Sequence, residues 1–281
     1  MANNLIAGTW NTLLVLKEVD FGVYLDGQNF GELLLPKRYV PAGIQVGDPL
    51  RVFIYHDSDS RPIATTDEPH GVVGDIVGLR CVGVNNQGAF LDWGLMKDLF
   101  VPKSQMIHQM EEGNRYVVAI YVDEQTGRTA ATERFAQLLS NEPLTVKVAD
   151  EVKLVVQKQT DLGYNVIING CHTGLLHFSD IFKEVEEGDM LNGFIKNIRE
   201  DGKIDVAAGK RGYERVGGEG AKIVEMLRDN NGYLPYNDKS DPDMIYAFFG
   251  MSKKTFKMAL GGLYKAQQIA FAKEGIQLIS E

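Results

Sequence analysis

The chain has 281 residues, of which 44% are apolar and 24% charged, with a formal net charge of -9. That length predicts two or three domains, or more if they are small, and the balance is that of folded globular protein, not a disordered tail. No run approaches the ~20 apolar residues of a membrane helix, the opening MANNLIAGTW lacks a secretory layout, and two cysteines, Cys81 and Cys171, make no disulfide framework, so the expected compartment is a reducing cytoplasm.

Three passages repeat one another: FGVYLDGQNFGELLLPKRYVP from Phe21, QGAFLDWGLMKDLFVPKSQMI from Gln87, and LGYNVIINGCHTGLLHFSDIF from Leu162. Gly22 to Gly88 and Gly47 to Gly113 are both 66 positions, and Gly88 to Gly163 and Gly113 to Gly188 are both 75. Two landmarks keeping their separation in every unit mark a triplication. Each unit opens on an alternating apolar run (LLVLKEV, LRCVGV, VKLVVQK), then a turn, a Gly and a second run. A short third run follows (LLLP, LFVP, LLHF) with a polar one-turn segment behind it. A Gly with polar neighbours leads to a fourth run (PLRVFIYH, RYVVAIYV, MLNGFIKNI), and a polar turn to a fifth (IATT, TAAT, IDVAA). Five short alternating runs in about 65 residues predict a small closed barrel. Phe90–Met106 reads as strand three, a turn at Trp93–Asp98 and a short strand ending at Pro102. Trp93 is either exposed or a clamp on the neighbouring unit. Gly22, Gly88 and Gly163 are expected where a strand bends or another backbone comes close. The nine extra positions between units two and three include ERFAQLLS, predicted to be a short helix that docks the units together. Linkers are expected at Glu68–Gly71, Glu142-Pro143 and Gly209–Gly220.

From about Tyr213 the pattern changes. GAKIVEMLRDNNG predicts a helix ending at Asn-Gly. Ser240-Asp241-Pro242-Asp243 supplies a cap and a first-turn proline for a second helix. MSKKTFKMALGGLYKA is a third, with Ser252 as N-cap. QQIAFA and IQLIS flank Lys273-Glu274-Gly275 as a hairpin. The expected class is therefore mainly β and multidomain: three five-stranded OB-fold barrels (1–68, 69–143, 144–212) followed by a C-terminal winged helix-turn-helix (213–281).

The repeated frame resembles the OB-fold RNA-binding domain of the ribosomal protein S-one type. GLLHFSDIF is nearest to that family's usual segment, whereas Pro36 and Pro102 stand where it has His. With FFGMSKKTFKMALGGLYK added, the whole chain resembles the conserved virulence factor B family. That resemblance implies three S-one-type domains with a winged helix, in a cytoplasmic bacterial RNA-binding protein that regulates gene expression post-transcriptionally, virulence genes in some relatives.

Lys+Arg against Asp+Glu number 5 and 9 over residues 1–68, 6 and 9 over 69–143, 9 and 11 over 144–212, and 9 and 9 over 213–281. Phosphate binding needs cations, so charge favours the C-terminal half: Lys196, Arg199, Lys203, Lys210 and Arg211 at the end of the third barrel, and Lys253, Lys254 and Lys257 on the third helix. OB-fold barrels stack bases on aromatics, which favours the opposite half: Phe21 and Tyr24 in unit one and Phe90 in unit two. Unit three offers Tyr164 and His177, with Tyr164 shifted by one place and so expected to face the other way. Lys37, Arg38, Lys97 and Lys103, read as lying on the polar segment after strand three, are in reach of phosphates. Single-stranded RNA is the expected ligand, because aromatics reach unstacked bases. Duplex DNA is disfavoured, since the third helix carries Gly261-Gly262 and no Arg to read guanine; that helix reads as a backbone binder or a protein-docking surface.

Cys171, His172 and His177 offer zinc no evident fourth ligand, and Gly217–Lys222 lacks phosphate-loop spacing. No catalytic set is defensible, so neither catalysis, cofactor, metal nor membrane partner is expected. The rival reading is a scaffold of barrels too acidic for RNA, docking a ribosomal or RNA-processing protein. Exposure of Phe21, Tyr24 and Phe90 favours RNA; burial of all three favours the scaffold.

Overall fold

The computed structural model describes residues 4–181, 185–209 and 219–279. The first barrel comprises β1 (Thr9–Val19), β2 (Gly22–Asp26), β3 (Glu32–Pro36), β4 (Pro49–His56) and β5 (Pro62–Thr65), closed in the order β1-β2-β3-β5-β4. Only the β3–β5 pairing is parallel. The alternation of apolar residues turns Leu13, Val15, Val23, Leu25, Leu33, Leu35, Val52 and Ile54 inward to form its core. The second barrel uses β6 (Ile76–Asn85), β7 (Gly88–Leu91), β8 (Leu99–Pro102), β9 (Arg115–Val122) and β10 (Thr129–Thr132); its sheet runs β10-β9-β6-β7-β8 and is nearly closed. The third uses β11 (Glu151–Gln159), β12 (Gly163–Ile168), β13 (His172–His177), β14 (Met190–Ile198) and β15 (Ile204–Ala208), closed like the first. The run at Phe90 is thus the second strand of its barrel, not the third: it pairs with β6 on one side and β8 on the other.

Two devices recur at the spacing of the repeat. The first strand carries a bulge at Val15/Lys17, Cys81/Gly83 and Val156/Lys158, which bends it so that one end pairs with the second strand and the other with the fourth. Gly22, Gly88 and Gly163 open the second strand, and a Cβ at any of them would collide with the carbonyl oxygen of Leu35, Val101 or Leu176 on the third strand. Only glycine lets the two backbones approach this closely. A one-turn 3₁₀ segment follows the third strand each time, at Lys37–Tyr39, Lys103–Gln105 and Phe178–Asp180.

The barrels pack directly on one another. Trp93, buried in the β7–β8 loop, clamps the first barrel: its ring meets Phe53 of β4 edge-on at 5.5 Å, and its Nε1 donates to the Gly71 carbonyl at 2.9 Å. Between barrels two and three, a Cβ on Gly78 would strike the Gly188 backbone, and Arg115 pairs with Asp189 at 3.0 Å. ERFAQLLS forms only a single 3₁₀ turn, Ala136–Leu138, because Phe135 ahead of it is drawn into a cluster with Ile76, Ala119, Val155 and Ile167 from both barrels.

The C-terminal domain has α1 (Glu219–Asp229), β16 (Tyr233–Leu234), α2 (Pro242–Phe249), α3 (Lys253–Lys265), β17 (Ile269–Phe271) and β18 (Ile276–Leu278). Asp241 caps α2 through the Asp243 amide and Ser252 caps α3 through the Thr255 amide. The sheet runs β16-β18-β17, so the hairpin gains a third strand that the sequence did not announce, two residues long and stopped by Pro235. Phe249, Phe256, Ile245 and Leu263 fill the core beneath.

Candidate nucleic-acid interface

In the first barrel Val23 and Leu25 point into the core, which turns Tyr24 outward. Phe21, in the turn before Gly22, is 57% exposed and meets Tyr24 edge-on at 6.3 Å. Across β1 the Lys17 ammonium lies 4.7 Å from the Tyr24 ring centroid and 2.6 Å from Glu32. Lys37 and Arg38 are exposed on the following 3₁₀ turn, where Arg38 stacks over Tyr39 and touches Met96 of the second barrel.

The second barrel presents Phe90 the same way, between inward-facing Ala89 and Leu91. Its partner is Phe100 of β8, opposite it in the register and 5.3 Å away. Phe100 escaped the sequence reading, although pairing the Phe90 run against the LFVP run would have found it. Lys103 is exposed on the 3₁₀ turn. Lys97 does not lie on the segment after the third strand: it sits in the β7–β8 loop and donates to the Asp57 carbonyl of the first barrel at 2.6 Å. With β7 ending at Leu91 and β8 starting at Leu99, Lys97 falls in the loop ahead of the third strand.

The third barrel departs from this pattern. Asn165 occupies the place of Tyr24 and Phe90, while Tyr164, one residue earlier, is half-buried against the barrel core and edge-on to Phe178 at 5.7 Å. The basic residues here are compensated within the barrel. Lys196 pairs with Asp180 at 2.7 Å and Lys203 with Asp201 at 2.8 Å, while Arg199 and His177 both bond Asp205, His177 at 3.2 Å. The Arg199 hydrogen bonds, helped by His177, hold the Asp205 carboxyl below its ordinary range against the opposing effect of burial. Arg199 and Lys203 still line an open groove of about 390 Å³ together with Asn141, Asn165 and Thr173. Lys210 and Arg211 lie outside the described residues.

On α3, Phe256, Ala259, Leu260 and Leu263 face the core, leaving Lys254, Lys257, Met258 and Tyr264 on the exposed side. Lys253 is half-buried, its Nζ 3.5 Å from the Lys239 carbonyl. His172 and His177 stand at opposite ends of β13. His172 is buried and bonded to Ser140 and Thr145, so the Cys171–His172–His177 run does not gather into one site.

Known domains match this architecture. An S1 domain matches residues 7–67 and again 73–133, and a CvfB-like winged helix domain matches residues 221–278. The winged helix is thus of the type found in the conserved virulence factor B family, and the chain is similar to members of that family over most of its length. The third barrel, outside those spans, has the strand order of the first. Relatives extend over nearly the full length: "Uncharacterized protein YitL" of Bacillus subtilis is 28% identical, over 90% of this chain and 87% of its own. Conserved virulence factor B of Staphylococcus aureus (strain USA300) is 24% identical over 83% and 82%, and that of Staphylococcus saprophyticus 22% over 84% and 81%. A crystal structure of a multidomain protein with nucleic acid binding domains from Streptococcus pneumoniae is 26% identical, covering 97% of this chain and 98% of that one, with a TM-score of 0.42. S1 and winged-helix domains are nucleic-acid-binding types, and this chain carries both. Among the described residues, no helix is long and apolar enough to cross a membrane.

Proposed function

We propose that this protein binds single-stranded RNA in the bacterial cytoplasm and acts as a post-transcriptional regulator, without catalysis of its own. The observation that carries this reading is the outward aromatic pair repeated on the first two barrels, Phe21 with Tyr24 and Phe90 with Phe100. Phe21 is exposed, and Tyr24 and Phe90 are half-buried, so none of the three is spent in the core. Each base stacked on such a ring contributes about 1–3 kcal/mol, and every base has a face to offer, so recognition tolerates sequence. Lys37, Arg38 and Lys103, exposed on the 3₁₀ turns that follow the third strands, take the phosphates. The acidic totals of the first two barrels do not oppose this, because local cations next to a stacking face decide contact more than the sum. In the third barrel the carboxylates already hold Lys196, Arg199, Lys203 and His177, so its part in binding is secondary, through the Arg199–Lys203 groove. The exposed side of α3, with Lys254 and Lys257, serves as a backbone contact.

Ultraviolet cross-linking of the full chain to a photoreactive single-stranded RNA, with adducts mapped by mass spectrometry, tests this. Adducts are expected on peptides holding Phe21, Tyr24 and Phe90. Adducts confined to other surfaces, or none, would overturn the assignment and leave the protein-docking scaffold.

A further inference from the structure

Among the described residues, two buried side-chain polar atoms have no protein hydrogen-bond partner: Nδ1 of His56 and Oγ1 of Thr129. Both residues line the same crevice, a cavity of about 370 Å³ between the first and second barrels. His56 ends β4 of the first barrel, and Thr129 opens β10 of the second. A buried polar atom left unpaired is costly, and two of them at one cavity ask for a ligand or bound solvent.

The rest of the lining says which ligand. Lys97 and Arg128 reach the cavity from two turns of the second barrel, and Phe90 and Phe100, the outward aromatic pair of that barrel, form its wall. The three basic groups stand close enough to disfavour one another's charge. His56 is pushed down by burial first, then by Lys97 and Arg128, with Asp57 opposing; Lys97 is pushed down by burial, then by Arg128, with Asp57 again opposing. Cations crowded without a counterion accept an anion readily. The nearby carboxylates leave them largely uncompensated. Asp57 is taken by Arg61 at 2.8 Å and Asp123 by the amide and hydroxyl of Thr126, both at 2.8 Å. The Asp98 carboxyl is pushed up by partial desolvation first and then by Asp92. Arg128 itself is exposed and makes no ion pair among the described residues. The volume falls within the roughly 300–1,000 Å³ of small-ligand clefts.

We propose that this crevice binds one nucleotide of a single RNA strand, with its phosphate on His56, Lys97, Arg128 and the Thr129 hydroxyl and its base against Phe90 and Phe100. The assignment rests on the single-stranded RNA reading above and adds to it a defined anchor built jointly by two barrels. Binding then reports the relative placement of those barrels, because His56 comes from one and the remaining groups from the other.

The test is a pH titration of the His56 imidazole by nuclear magnetic resonance in the full chain, with and without a short oligouridylate, assigned by its loss in His56→Gln. Tyr55, Asp57, Asp98, Asp123, Lys97 and Arg128 are the titratable and charged groups around that ring. A bound phosphate raises the His56 pKa, and Arg128→Ala abolishes the rise and weakens the oligonucleotide about tenfold, as for loss of one charged hydrogen bond. Arg128 is exposed, so this variant folds; Lys97→Gln is the second variant. The assignment is overturned if the oligonucleotide binds wild type and both variants equally and His56 does not move. That outcome places ordered solvent in the crevice and leaves the RNA reading intact on the Phe21–Tyr24 face. If wild type binds no oligonucleotide at all, both readings fail together.

Discussion

Trp93 of the second barrel stands edge-on against Phe53 of the first, ring centroids 5.5 Å apart, and Trp10 closes on the other side of Phe53 at 5.6 Å. Phe53 is fully buried although it belongs to a barrel whose inward residues on that strand are Val52 and Ile54. It faces outward from its own barrel and is buried by its neighbour. The two barrels therefore share a core. Trp93→Ala is expected to cost about 3–5 kcal/mol, the range for large aromatic truncations in a core. Chemical denaturation monitored by the remaining fluorescence of Trp10 reads this out. A midpoint equal to that of wild type would show that the barrels do not depend on each other.

Two glycines give opposite outcomes on substitution. Gly88→Ala drives a methyl into the Val101 carbonyl and is expected to destabilise by about 1–3 kcal/mol. Gly261 is exposed within α3 and a Cβ there meets nothing within 4 Å, so Gly261→Ala is expected to stabilise the helix by roughly 0.8–1 kcal/mol. Thermal melts of both variants check the pair of signs.

Asp205 gives a pH dependence with a definite sign. Its carboxyl is held below the ordinary range, so folding gains stability from it above its unfolded pKa and loses that gain as pH falls through the lower folded value. Asp205→Asn removes the negative charge that faces Arg199 and His177 and leaves them a single neutral carbonyl oxygen in place of two carboxylate oxygens. The variant is expected to be less stable than wild type near pH 7, with the gap closing as pH drops below about 4. Melting temperatures measured across that interval test it; a gap independent of pH would mean that the carboxylate's charge contributes nothing.

Phe21→Ala removes a side chain that is 57% exposed, so its effect belongs to binding and not to folding. Loss of one stacked base predicts about 1–3 kcal/mol weaker single-stranded RNA binding, with the melting temperature unchanged. Equal affinity, or an equal loss of stability, would assign Phe21 to packing.

Much of this was written in local pattern. The triplication came from glycine spacing, and the structure ties the same spacing to one physical need: a third-strand carbonyl that leaves no room for a Cβ at Gly22, Gly88 or Gly163. Caps at Asp241 and Ser252 fixed two helices. Tertiary pairing was less legible. Composition placed the cations in the third barrel, but it does not reveal that Asp180, Asp201 and Asp205 fold back onto them. The ERFAQLLS stretch has helical periodicity, yet burial of Phe135 between two barrels overrides it. His56 ends a strand of the first repeat, while Lys97 and Arg128 sit in two loops of the second, so no window of sequence holds them together. β16 is two residues long and exists only because β18 offers it an edge.

The most direct measurement is fluorescence anisotropy of a labelled single-stranded RNA titrated with the full chain at two salt concentrations, beside a Phe21→Ala/Phe90→Ala double variant. Saturable binding is predicted, weakening as salt rises because phosphate contacts release counterions, and weaker by at least about tenfold in the double variant, at the level of one to two lost stacks. No binding by the full chain at tens of micromolar, or binding that the double variant retains in full, would contradict the stacking interface.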